Sequence, residues 1–163
     1  MATRFVGTPL SAEFPATNFP QLTLINRRPV LAFDASTDET AYWTFIAPQG
    51  LTGTITLVIT YMMASATTNA VGLQAQLEAV TAADATDLDG TTSFDSVNNS
   101  ASTTVPGTAG YIGQISITMT NADSIAAADY VRLSVNRDAD GSAITDSATG
   151  DLYLLAVELR DAA

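Results

Sequence analysis

The sequence predicts an all-β protein: a two-sheet antiparallel β-sandwich of about eight strands, jelly-roll-like, preceded by an extended N-terminal arm. Three observations predict it. Apolar and polar residues alternate with a period of two from residue 30 onward, turn-forming residues separate the alternating segments, and no apolar stripe of helical period exceeds two turns. With 163 residues, the chain is long enough for one domain, which divides into an arm (1–29) and a sandwich (30–163).

The arm is predicted because proline recurs through residues 1–29, and proline cannot donate a hydrogen bond to a central strand. Its prolines are at positions 9, 15, 20 and 29. Apolar and cationic side chains are interspersed, and we expect them to lie against a neighbouring subunit, with the chain's own domain as the alternative. Deleting residues 1–25 is then expected to leave a folded domain that no longer binds its partner. The predicted interaction residues are Arg4, Phe5, Phe14, Phe19, Arg27 and Arg28.

The strands of the sandwich follow in order from the period-two pattern. They are predicted at 30–33, 42–46, 54–61, 71–78, 115–120, 131–136 and 152–159, with a short strand within 94–105 and a helical turn at 124–129. Segment 54–61 is the clearest, and we expect it to be half-buried and to pair with 71–78. The alternation within 71–78 places Glu78 on the outward face of that strand. Trp43, between Tyr42 and Phe45, is predicted to lie in the core.

Composition argues against catalysis. The chain has no lysine, histidine or cysteine, and its six cations are all arginines. This excludes Ser-His-Asp and Ser-Lys nucleophile activation, zinc sites built on cysteine or histidine, and phosphate loops ending in lysine. The sequence therefore predicts a protein that is not an enzyme.

The charge balance and the hydropathy pattern indicate which partners to expect. The formal net charge is −11, which disfavours nucleic acid because DNA binding relies on clustered Lys and Arg. The sequence has no run of 18 apolar residues, so we expect no transmembrane helix. Residues 1–10 contain no apolar core of a signal peptide. We expect neither a nucleic-acid nor a membrane partner.

Acidic residues give the sharpest candidates for ligand binding. Asp138, Asp140 and Asp146 occupy positions 1, 3 and 9 of a loop with Ser142 at position 5, a spacing that suits calcium. The loop departs from an EF-hand because glycine stands at position 4 and Thr149 at position 12. We therefore favour ordinary Asx-type turns and no cofactor, with calcium as the alternative.

Two other polar features have a structural and a functional interpretation. Arg137 is expected to pair with a loop carboxylate (Asp138, Asp146 or Asp151), the alternative being a ligand clamp. Two carboxylates would suffice for a glycosidase. Nothing in the sequence pairs any two glutamates, so we favour solvated side chains. The glutamates are Glu13, Glu39, Glu78 and Glu158.

Two stretches carry a resemblance to a known group. One runs from Tyr42 to Pro48 into the strand Ile55 to Tyr61. The other runs from Asp129 to Leu133, through Asn136-Arg137-Asp138 and an acidic loop, to Gly150-Asp151 and a final apolar strand. The order of these pieces resembles phage virion jelly-roll structural proteins of the head decoration, cement or tail-fibre type, although Ala128 stands where those sequences have glycine.

The resemblance implies a virion setting, with the capsid surface favoured, and carries no catalytic residues across. Its first implication is a capsid decoration or cement protein. Such a protein would form a homo-oligomer, a trimer in the first instance, and would bind the major capsid protein or another virion protein. The alternative is a carbohydrate- or receptor-binding module of a tail fibre, and a third option is a calcium-dependent adhesion domain. The aromatic candidates for the carbohydrate site are Trp43, Tyr61, Tyr111 and Tyr130.

Overall fold

A computed structural model describes residues 1–90 and 92–161 and shows antiparallel sheets packed as a sandwich. The described strands are β1 (Ala2–Gly7), β2 (Gln21–Ile25), β3 (Arg28–Phe33), β4 (Glu39–Ile46), β5 (Ile55–Met63), β6 (Ala70–Val71), β7 (Leu73–Val80), β8 (Asn98–Asn99), β9 (Thr103–Thr104), β10 (Gly113–Met119), β11 (Tyr130–Arg137) and β12 (Leu152–Asp161).

The strand order is that of a jelly roll. The larger sheet has the order β10-β5-β12-β3-β2, with β1 added along β12, and the smaller sheet has the order β4-β11-β7-β8. Strands β6 and β9 form a separate ribbon. The predicted fold class is confirmed: the segments predicted from period two supply β3, β5, β10 and β12 of the larger sheet and β4, β7 and β11 of the smaller sheet. Strands β1 and β2 lie outside those segments.

The predicted pairing of 54–61 with 71–78 is wrong. Strand β5 lies between β10 and β12, whereas β7 lies in the other sheet between β11 and β8. In a jelly roll the chain crosses between sheets at most connections, so neighbours in sequence need not be neighbours in a sheet. Strand β5 is also more buried than predicted, because Glu158 and Arg160 of β12 lie opposite Val58 and Thr56 on its outer face.

Residues 1–29 are not a separate arm. Strand β1 pairs with the C-terminal half of β12. Strand β2 forms a hairpin with β3, so the predicted boundary at residue 29 falls inside a strand. The hairpin turn holds Asn26 at φ 48° and Arg27 at φ 67°, as expected of a two-residue turn that matches strand twist. The prolines at 9, 15 and 20 lie between β1 and β2. Proline therefore marked a connection between two strands and not a free segment.

The core lies between the two sheets and includes Trp43, which is confirmed as buried. Its indole Nε1 donates a hydrogen bond of 3.0 Å to the carbonyl oxygen of Thr8. Gly7 makes this approach possible, because a Cβ there would lie 2.6 Å from Trp43 Cδ1 and 2.7 Å from a methyl group of Val157. The packing of β1 on the core thus depends on a glycine.

Helical structure is slight in the described part of the chain. A 3₁₀ turn covers Pro9–Ser11, and no described helix is long and apolar enough to cross a bilayer. The helical turn predicted at 124–129 is replaced by two hydrogen-bonded turns, closed by Ile125 N to Ala122 O and by Asp129 N to Ala126 O. Ile125 still packs against the core, as predicted.

Candidate interaction surface

Arg4 and Phe5, two of the six predicted interaction residues, are occupied within the chain. Arg4 Nε lies 2.8 Å from Asp161 Oδ2. The ring of Phe5 stacks on Phe45 with centroids 4.0 Å apart and planes inclined by 11°. Because β1 already pairs with β12, these contacts fix it to its own domain.

The ion pair between Arg4 and Asp161 predicts a pH dependence. The adjacent Arg4 guanidinium, aided by the N–H of Thr52, holds the pKa of Asp161 below its ordinary value against the opposing effect of burial. A lowered folded-state pKa contributes stability above the acidic range and loses it as the pH falls through that pKa. We expect Arg4→Met to lower the melting temperature by several degrees at pH 7 and by much less near pH 3.

Thermal melts at the two pH values, with Gln49→Met as control, test this expectation. Gln49 is exposed and uncharged, so its replacement should shift both melts equally. A deficit of Arg4→Met that stays the same at pH 3 would show that Arg4 acts through packing alone.

Phe14 and Phe19 form a half-exposed pair in the connection between β1 and β2. Their ring centroids lie 5.6 Å apart, and the side chains are 39% and 42% exposed. Glu13 ties this connection to the edge of β4 by exchanging two backbone hydrogen bonds with Tyr42. The pair is therefore held in place while remaining open to a partner.

Arg27 and Arg28 stand apart from the other arginines. Arg4, Arg132, Arg137 and Arg160 each pair with a carboxylate. Within the described residues Arg27 and Arg28 have no such partner, and both are exposed at the β2–β3 turn.

Strand β2, which ends at this turn, lies at the end of the larger sheet. Its side chains Leu22 and Leu24 are 48% and 68% exposed. We call Leu22, Leu24, Arg27 and Arg28 the β2 edge. An apolar sheet edge offers backbone and side-chain groups for pairing with another chain.

The predicted calcium loop is brought together in part. Carboxylate oxygens of Asp138 and Asp140 lie within 4.8 Å of each other and of Asp38, and such oxygens suit a hard cation. Asp146 instead faces Arg137. The sequence did not indicate Asp38, because about a hundred residues separate it from the loop.

Hydrogen bonds within the loop explain the same acidic residues without a cation. The carboxylate of Asp138 accepts from the Ser142 hydroxyl and from the N–H groups of Ala143 and Ile144. The pKa of Asp140 is lowered chiefly by the N–H of Ser142. These are the Asx-type turns that the sequence favoured.

Arg137 is paired with a loop carboxylate, as predicted. Its side chain is fully buried, and Nε and Nη2 donate to the two oxygens of Asp146 at 2.9 and 3.0 Å. The remaining donors reach the carbonyl oxygens of Phe33, Ala148 and Gly150. This arginine therefore joins β3, β11 and the loop before β12.

The carboxylates do not follow the predicted solvated pattern throughout. Glu78 lies on the outer face of its strand, as predicted, but the prediction that it is solvated is wrong, because Glu78 is 1% exposed. It accepts a hydrogen bond of 2.6 Å from Ser93 N and lies 3.5 Å from Arg132. The segment after residue 91 crosses this face of the sheet and buries the side chain.

Glu39 is the glutamate that the structure places beside other carboxylates. It lines a small pocket with Asp34 and Asp151. Burial raises the pKa of Glu39, whereas hydrogen bonds from Ser36 lower the pKa of Asp34. Glu39 Oε2 also accepts a hydrogen bond from Asp34 N at 2.7 Å, so this carboxylate closes the β3–β4 connection.

The aromatic candidates for a carbohydrate site differ in how far they are exposed to solvent. Trp43 and Tyr61 are buried, which removes them as sugar platforms. Tyr130 is half-buried, and Tyr111 is 65% exposed. The sequence had no means of separating these four, because strand periodicity does not reveal which outer faces are covered.

Comparison with known proteins gives no family assignment. No protein-family model matches the chain, and no curated protein matches it. Among solved structures, the arabinose-bound MgGH51 α-L-arabinofuranosidase is similar with a TM-score of 0.43 and 12% identity over 98% of this chain. The chain spans 24% of the length of that structure. A similarity at this level says nothing about the chemistry of the present chain.

Proposed function

We propose that this chain is a non-enzymatic virion structural protein: a capsid decoration or cement protein that stabilises the shell through subunit contacts. The observation that carries the proposal is the β2 edge. There, two adjacent arginines without a carboxylate partner in the described residues adjoin two exposed leucines. In a chain of net charge −11, unpaired adjacent cations beside apolar surface suit an acidic partner.

Two classes of partner fit this edge. One is a second copy of the acidic chain, and a closed homotrimer is the arrangement we favour. The other is an acidic surface of the major capsid protein or of another virion protein. The resemblance to phage virion jelly-roll proteins supports the assignment to a virion, and the lack of lysine, histidine and cysteine supports a non-enzymatic role. The capsid surface is the location proposed.

Self-association is tested by charge reversal at the β2 edge. We expect the wild-type chain to sediment as a trimer of 17.0 kDa subunits, and Arg27→Glu/Arg28→Glu to sediment as a monomer, because like charges then face an acidic partner. The control is Gln49→Glu/Gln114→Glu, which adds acidic side chains at exposed positions outside the β2 edge. A wild-type monomer, or a reversal variant that remains trimeric, would contradict the proposed contact.

The location is tested separately on virus particles. An antibody against the chain, applied to purified virions with immunogold detection, should label the faces of the shell. Label confined to the tail would overturn the decoration assignment and favour a fibre protein. Virions without label would remove the virion assignment altogether.

A further inference from the structure

The outer face of the smaller sheet presents neutral hydrogen-bonding side chains in register. Thr40 of β4, Asn136 of β11 and Gln74 of β7 lie opposite one another across three adjacent strands. Residues two positions further along, Tyr42, Ser134 and Gln76, form a second row beside them. Paired residues in antiparallel strands share a face, so the two rows form one polar surface.

These two rows line a shallow pocket of about 130 Å³. The segment after residue 91 bounds it on one side. Phe94 stacks on Tyr42 with ring centroids 5.8 Å apart, and Gln76 Nε2 donates to the carbonyl oxygen of Asp95 at 2.9 Å. Val97 adds an apolar contact to the wall. The pocket is therefore built by side chains that contact one another and this segment.

The hydrogen bonds of the lining leave acceptors available. The amide nitrogens of Gln74, Gln76 and Asn136 donate to Asn99, Asp95 and Thr40 respectively. Each bond orients its amide and leaves the carbonyl oxygen of that side chain without a partner among the described residues.

Two further lining groups are uncommitted. Ser134 is 5% exposed, and its hydroxyl has no hydrogen bond in the described part of the chain. The Tyr42 hydroxyl likewise makes none there. Asn136 Oδ1 is a buried oxygen without a partner. Buried polar groups are normally satisfied, so this orphaned oxygen beside the other uncommitted groups of the lining indicates a missing partner that carries donors.

The charge of the pocket selects the class of ligand. No lining side chain is a carboxylate, an ammonium or a guanidinium. Arg132, whose guanidinium lies 5.0 Å from the centroid of the Tyr42 ring, is paired with Glu78 at 3.5 Å. The lining itself therefore offers a ligand no charged partner, and its amide carbonyls and hydroxyls favour a donor-rich neutral molecule.

We propose that this pocket binds one ring of a neutral sugar, with its hydroxyls donating to the amide oxygens of Gln74, Gln76 and Asn136 and pairing with Ser134. Its volume is below that of drug-sized sites, which begin at about 300 Å³, so the site takes a single ring or the end unit of a chain. This inference is independent of where the protein sits on a virion.

Titration of the ¹⁵N-labelled full-length chain, followed by amide chemical shifts, tests the proposal. The probes are D-glucose, D-galactose and D-mannose, with D-glucuronate and D-glucosamine as charged counterparts. We expect saturable shifts at residues 74, 76, 134 and 136 with at least one neutral hexose. Ser134→Ala and Gln74→Met should each weaken that binding by about threefold to tenfold, as for the loss of one neutral hydrogen bond.

Ser116→Ala is the matched control, because Ser116 is an exposed serine on β10 of the other sheet and its loss should leave the affinity unchanged. Melting curves confirm that the variants fold. The proposal is overturned if no neutral hexose gives saturable shifts at its highest soluble concentration, if the shifts map elsewhere, or if Ser134→Ala binds like the wild type. Tighter binding of glucuronate or glucosamine would overturn the assignment to neutral sugars.

Discussion

Replacing Arg137 with methionine is expected to lower the free energy of unfolding by about 3–5 kcal/mol, as for the loss of one partner from a buried ion pair. The substitution leaves the carboxylate of Asp146, whose side chain is 1% exposed, without its cation. It also leaves three carbonyl oxygens without donors, those of Phe33, Ala148 and Gly150. Methionine fills much of the volume, so the loss measures the polar contacts more than a cavity.

Urea denaturation of a double-mutant cycle isolates the pair. Removing both charges with Arg137→Met/Asp146→Leu should cost less than the two single changes added together, because no buried charge then stays unpaired. Arg160→Met, which removes a partly exposed ion pair with Glu158, should cost no more than about 1 kcal/mol. Strict additivity in the cycle, or an Arg137→Met loss as small as that of the control, would contradict this account.

The pairing of Arg137 with a loop carboxylate shows what local sequence can establish. Asp146 lies nine residues from Arg137, so few alternatives compete and a buried guanidinium needs an anion. The same holds for the core position of Trp43. Alternation with period two indicates which side chains of a strand are buried, and it therefore locates the long strands from β3 onward but not β1 and β2.

The sequence does not predict which strands pair with each other. Periodicity assigns a side chain to a face but does not identify the strand that lies beside it. Consequently β5 and β7 were paired although they belong to different sheets. Asp38 was missed beside Asp138 for the same reason, since contacts between residues far apart in sequence depend on the topology.

The sugar pocket shows the same limit at a candidate site. Its two rows come from β4, β7 and β11, and each strand alone reads as an ordinary polar face. The usable signal was chemical: Gln74 and Gln76 alternate on one strand, as Ser134 and Asn136 do on another, and none of the four carries a charge. The sequence does not show that these side chains adjoin one another, because that depends on β4, β7 and β11 lying side by side in the sheet.

Deleting residues 1–25 is expected to destabilise the protein, in contrast to the dispensable arm that the proline pattern predicted. Strand β12 would lose its partner β1, and β3 would lose β2. The Trp43 indole would lose the acceptor oxygen of Thr8, and Phe45 would lose the stacked ring of Phe5. Loss of a packed aromatic alone costs about 3–5 kcal/mol, so we expect the melting temperature to fall by at least about 10 °C.

Thermal melts of the truncated chain test this expectation against full-length Phe14→Ser/Phe19→Ser, which alters the half-exposed pair and leaves β1 and β2 in place. The phenylalanine variant should melt within a few degrees of the wild type. A truncated chain that melts like the wild type would show that residues 1–25 are a separate arm after all.

If the truncated chain is destabilised, its failure to bind a shell would not identify a contact residue, because the whole domain is altered. The Arg27→Glu/Arg28→Glu reversal at an exposed turn is then the sharper test of assembly, since it changes the charge of the β2 edge without removing a strand.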